Sequence, residues 1–266
     1  MVAIDVWNVE TFDSELLALL TGHAQLIRSY FDRHAYIFHS YDLQQGLNRP
    51  TMRPSNAYAD DFCRLAEQLE TPMRALAVRA FHYTRITDAE LEKLFVEGIH
   101  LSTHASLLSR LAALVESSDL SQSDADAVIE ASPFKTQLAL REGMFWATSR
   151  PYPSDYDGVE PLLQYWGGEV AHFHQNEPEL LAKLAQIGTP RVIEVAAPLS
   201  ATAHAFVAGQ TVIEAFAKSI GCKLDCRDFD LYVRQPLSKT AVLRVLSKGE
   251  LDYRNLGRSY PAGLAE

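Results

Sequence analysis

Three groups of residues in this chain have types and spacings suited to one piece of chemistry. His82 and Thr84 stand two apart at the end of an apolar run, so in a strand both side chains point to one side and can meet a ribose hydroxyl. Farther on, Gly143 lets a ligand approach the backbone, Phe145 projects from the same segment, and Tyr156 follows on what reads as the next helix. Asp230, at the start of a late apolar run, adds a carboxylate; Asp228 and Glu169, the latter within Trp166-Gly167-Gly168-Glu169, are rivals for that place. Aromatic faces for a flat ring, a grip on ribose and negative charge beside a developing cation are what cleavage of the nicotinamide–ribose bond of NAD requires.

Other groups point elsewhere. The planar fork of Arg85 can hold a pyrophosphate or pair with Asp88 or Glu92 on the surface. His172 and His174, read as two apart on a strand, share a face and suggest a metal, but spacing supplies no third ligand and Glu169 falls on the other face, so no metal site is expected. The chain has no Gly-x-Gly-x-x-Gly opening a helix, no phosphate-binding P-loop and no Gly-x-Ser-x-Gly elbow, which disfavours a Rossmann dinucleotide site and the commonest hydrolase arrangement.

The elements that must position these residues are read from apolar spacing. Leu17, Leu20, Ala24, Ile27 and Phe31 predict a helix over 12–35; Gly46, Pro50 and Pro54 mark a loop over 44–56; Phe62, Leu65, Ala66 and Leu69 predict a helix over 60–70. The second half of the apolar run 75–83 reads as a buried strand. A helix over 88–97 follows, capped at Thr87-Asp88 and closed by Gly98, and 99–101 can begin the next strand. Further helices are expected at 104–117, 121–131 and 209–220, and strands at 143–148, 169–174, 190–197, 229–235 and 240–246. The fold class is therefore α+β, with a helical N-terminal segment over 1–75 and a mixed or antiparallel sheet in 76–266.

Composition narrows the function classes. A chain of 266 residues, 47% of them hydrophobic, can bury a full core as one large domain or a domain with an added subdomain. A net charge of −10 argues against a broad nucleic-acid surface, leaving room only for a local basic groove. No apolar run approaches the roughly 18 residues of a membrane helix, so no membrane partner is expected. Cys63, Cys222 and Cys226 read as small buried apolar residues, and early acidic residues in place of a secretory leader suggest a cytoplasmic protein.

In combination, His82-Tyr83-Thr84 leading to a helix that ends at Gly98-Ile99, Gly143-Met144-Phe145-Trp146-Ala147 followed by Tyr156, and a late hairpin with Asp230 near its start resemble the ADP-ribosyltransferase superfamily. The branch is that with a His-Tyr-Glu triad, which includes diphtheria-toxin-like enzymes and poly(ADP-ribose) polymerases. Phe145 stands where the triad tyrosine would, Asp230 where the glutamate would, and Tyr83 where the family has glycine. The likeness covers roughly residues 76–247. It implies the family's split antiparallel or mixed sheet, and a mono-ADP-ribosyltransferase that uses NAD as substrate in a toxin, effector or phage-defence setting. The acceptor would be a protein or small molecule rather than nucleic acid. His82, Phe145 and Asp230 would then be catalytic, and Tyr83, Thr84, Arg85, Gly143, Trp146 and Tyr156 would bind the cofactor. The changed triad positions also imply the alternative of a catalytically weak module that binds a nucleotide or a partner protein.

Overall fold

Thr87 organises the turn between the first long strand and its helix: its hydroxyl accepts the Glu90 N–H while the Glu90 carboxylate accepts the Thr87 N–H, a reciprocal capping box. In the computed structural model, which describes residues 3–41, 53–225, 228–258 and 260, this box starts a helix over Asp88–Glu97, as the spacing predicts. In chain order the main elements are β1 (Ala3–Ile4), α1 (Ser14–Gly22), α2 (Ala24–Ala35), α3 (Ala59–Arg74), β2 (Ala77–Ile86) and α4 (Asp88–Glu97). Then come α5 (His104–Glu116), α6 (Gln122–Ala131), β3 (Phe145–Thr148), β4 (Thr189–Pro198), α7 (Ala205–Ser219), β5 (Asp230–Val233) and β6 (Val242–Ser247). The α+β expectation holds at this level.

The chain divides into two units. The larger comprises Arg79–Ala197 and Asp230–Glu266; the smaller comprises Val2–Val78 and Pro198–Phe229. The smaller unit thus joins the N-terminal helices to α7 from far downstream. Within the smaller unit α7 packs along α3 and α2, and Gly209 makes the approach possible: a Cβ there would already stand 3.3 Å from that of Leu69. The helix expected over 12–35 is broken at His23, whose φ of −107° and ψ of 10° leave the helical region.

In the larger unit the strand order is β5-β3-β2-β4-β6. β3 pairs antiparallel with β2, Phe81 opposite Thr148, and with β5 from Phe145–Val233 to Thr148–Asp230; β4 pairs antiparallel with β6. Phe81, Tyr83, Val192 and Leu246 of the sheet form one core with Tyr152, Val159, Leu163, Tyr253 and Leu256. A second core is built between helices: Leu107, Leu111 and Leu114 of α5 meet Val128 of α6, Phe134 and the fully buried Trp166.

Gly98 closes α4 for a steric reason. Its φ is +90°, and a Cβ would lie 2.2 Å from the Leu237 carbonyl oxygen. That approach lets Ile99 exchange two backbone hydrogen bonds with Leu237, so the expected strand over 99–101 is reduced to a single bridge.

The strand expected over 169–174 is corrected. Gly167 and Gly168 have successive positive φ values of 80° and 61°, and the chain leaves them as a short helix, Glu169–His172. Of the expected loop over 44–56, residues 44–52 lie outside the described residues; 53–56 are irregular. Cys222 is buried as expected, Cys63 is exposed, and Cys226 lies outside the described residues.

Candidate functional site

His82 on β2 and Phe145 on β3 are brought together: their ring centroids are 4.5 Å apart with the planes tilted by 36°. His82 Nδ1 lies 2.7 Å from the Trp146 carbonyl oxygen. A carbonyl only accepts, so Nδ1 carries the proton and, in the neutral ring, Nε2 is left as an acceptor. Burial pushes the His82 pKa down to about 4, with the nearby Arg110 guanidinium acting in the same direction against the bond to Trp146, so the ring is neutral at physiological pH. The side chain is partly buried and keeps an opening to solvent.

The two strand registers decide which other residues join this pair. Directly opposed residues of an antiparallel pair point to the same face. Phe145 and Ala147 therefore share a face with Val233 and Leu231, both buried, while Trp146 and Thr148 share the opposite face with Tyr232 and Asp230. The contact of Trp146 with Tyr232, centroids 4.7 Å apart, agrees with that division. Asp230 thus lies on the face away from His82 and Phe145, and the positions of β5 that reach their face are Leu231 and Val233. Thr84 shares the face of His82 but is itself buried. Asp228 belongs to the smaller unit.

Three of the expected cofactor contacts have partners within the fold. Tyr83 is buried, and its hydroxyl donates to the Tyr152 carbonyl and accepts from the Tyr152 N–H; it anchors that loop from the opposite face and its pKa is raised by burial. Arg85 turns its Nε to the Ile187 carbonyl at 2.8 Å, while Asp88, one of its expected surface partners, pairs with Arg191. Tyr156 stands in the turn before the helix Glu160–Gln164, not on it, and stacks on Tyr152 with centroids 4.5 Å apart. Gly143 has a φ of +70° with open space where a Cβ would be, and its N–H donates to the Ser102 carbonyl.

Beside His82 the structure adds a cluster that the spacing did not indicate. Glu90 accepts from Arg110 Nε at 2.5 Å and from the indole N–H of Trp166 at 2.9 Å, and the Arg110 guanidinium lies 4.5 Å over the Trp166 ring. Burial would raise the Glu90 pKa, but Arg110 and the donated hydrogen bonds hold it below the usual carboxylate range. The only sequence signal for this cluster is the Trp-Gly-Gly-Glu run, where an indole precedes a forced turn. Glu169, at the end of that run, pairs with Arg141 and is 40% exposed.

His172 ends its short helix with Nδ1 2.8 Å from the Gly168 carbonyl, and burial lowers its pKa. Among the described residues no group of three His, Cys, Asp or Glu is placed to hold a metal ion, and no helix is long and apolar enough to cross a membrane. An open cavity of about 650 Å³ lies between Asp88, Asp119, Lys183 and Thr189, and none of the candidate catalytic or cofactor-binding residues lines it. No family model matches the chain, and no curated protein or solved structure is significantly similar to it.

Proposed function

We propose that this chain carries an ADP-ribosyltransferase-like domain that binds NAD, with the nicotinamide–ribose end against His82 and Phe145. The observation that carries the reading is the His82–Phe145 pair itself. It joins a neutral imidazole, fixed through Nδ1 to the Trp146 carbonyl and ready to accept a ribose hydroxyl at Nε2, to an aromatic face suited to a flat ring. The adjacency of β2, β3 and β5, the three strands that bear the matching motifs, supports it further.

Of the two activities such a site can have, the β5 register favours binding without rapid cleavage. Leu231 and Val233, not a carboxylate, reach the face of His82, so nothing from β5 stabilises a ribosyl cation there. The transferase reading, in which ADP-ribose passes to a protein or small-molecule acceptor, is favoured by one observation. Glu169 is held by Arg141, four residues before Phe145 in the chain, and offers a partly exposed carboxylate.

Calorimetric titration with NAD tests the first reading. The expected result is saturable binding that weakens by about tenfold or more in His82→Ala and Phe145→Ala, on the order of 1.4 kcal/mol. Absence of NAD binding by the intact protein overturns it. Chromatographic assay for free nicotinamide separates the activities: no release is expected, and release abolished by Glu169→Gln but retained in Asp230→Asn would establish the transferase reading.

A further inference from the structure

The opposite face of β3 and β5 carries an aromatic group that the His82–Phe145 site does not use. Trp146 lies on β3, between β2 and β5, yet is 41% exposed. Its indole meets the Tyr232 ring, and the Arg234 guanidinium lies 5.1 Å over the other member of that pair, so an indole, a phenol and an exposed guanidinium follow one another along the sheet edge. A large aromatic on an inner strand ordinarily finds cover. Here the rings and the cation together present flat surfaces and a planar array of N–H donors.

We infer that Trp146, Tyr232 and Arg234 form a platform for a single nucleotide, its base stacked on Trp146 and its phosphate held by Arg234. Indole faces stack on any base, and a guanidinium whose face rests on a ring still has its N–H edges for phosphate oxygens. Asp230 shares this face and places a carboxylate beside the platform. The same carboxylate and the net charge of −10 oppose a run of phosphates, so one nucleotide rather than a strand is the occupant. The platform is on the other face from His82 and Phe145 and does not rest on their function.

Intrinsic fluorescence gives a direct test, because Trp7 and Trp166 are buried and Trp146 alone of the three indoles is exposed. Titration with AMP is expected to quench emission saturably, and calorimetry is expected to show binding weakened about fivefold or more in Trp146→Ala but kept in Trp146→Phe. Arg234→Ala is expected to weaken AMP binding while leaving adenosine unchanged, and His82→Ala to leave both intact. A short single-stranded oligoadenylate is expected to bind no more tightly per site than AMP. The inference is overturned if AMP gives no saturable quenching, if Trp146→Ala binds AMP as well as the unaltered protein does, if AMP affinity depends on His82 rather than on Trp146, or if the oligonucleotide binds more tightly per site than AMP.

Discussion

A histidine whose Nδ1 faces a carbonyl has its tautomer chosen by that carbonyl, and one that is also shielded from water has its charge state chosen by burial. Both apply to His82, with a consequence for stability. The folded ring takes up a proton near pH 4, whereas the unfolded one does so near pH 6.5. Unfolding therefore binds a proton between those values, and stability falls as pH drops from 6.5 toward 4 and is level above that window. His82→Gln, which keeps a donor for Trp146 but cannot titrate, is expected to lose about 2 kcal/mol less than the unaltered protein across that window. Urea unfolding of both proteins at pH 4, 5.5 and 7 measures it, and parallel acid limbs would refute it. Tyr83 makes a second prediction at this scale. Tyr83→Phe leaves both the N–H and the carbonyl of Tyr152 without their buried partner and is expected to cost about 1–3 kcal/mol by the same unfolding assay, while leaving NAD binding unchanged.

At the scale of the element, Gly98 shows what a sequence motif can mean before any ligand is considered. Its positive φ and the 2.2 Å approach of the Leu237 oxygen to a would-be Cβ make Gly98→Ala costly from both sides, by about 2 kcal/mol or more. A fall in the thermal midpoint with α4 retained by circular dichroism is the expected outcome, and an unchanged midpoint would show that the segment 237–239 yields. Gly98-Ile99 was legible because a cap and a glycine act within one turn of chain. The same locality made the spans of α4, α5 and α6 readable, and β4 from its apolar run. The two-residue period of a strand puts Asp230 and Tyr232 on one face and Leu231 and Val233 on the other, in agreement with the register. It could not say which of those pairs shares a face with His82, because that depends on register across β3, a non-local property. The segment 169–174 misled for a related reason: the alternation of apolar and polar residues over 171–174 fits a short strand as well as a helical turn, and the two positive-φ glycines before the segment decide the matter. Arg110, Glu90 and Trp166 were not legible as a cluster because they come from well-separated segments that meet only in the fold.

At the scale of the whole molecule, the relation between chain order and structural unit yields the last prediction. Sequence periodicity places the division after residue 75, which would make a fragment spanning 76–266 one domain. Yet α7 belongs with α2 and α3: Ala208, Val212, Ile213 and Phe216 are buried, and Gly209 rests against Leu69 and Met73 within the smaller unit. Removing 1–75 uncovers that apolar face and also deletes β1, which pairs with Ala77 and Val78. Burial of such a face is worth roughly 25 cal/mol for each Å² of apolar surface, and a helix that loses its partners retains little of its own stability in water. The fragment 76–266 is therefore expected to aggregate on expression, to elute in the void volume in size-exclusion chromatography and to bind a hydrophobic dye. Coexpression with residues 1–75 as a separate chain is expected to return it to the soluble fraction, because the missing contacts are made by packing and strand pairing rather than by covalent continuity. A monomeric 76–266 with cooperative unfolding and no dye binding would show instead that α7 can be covered from within the remaining chain.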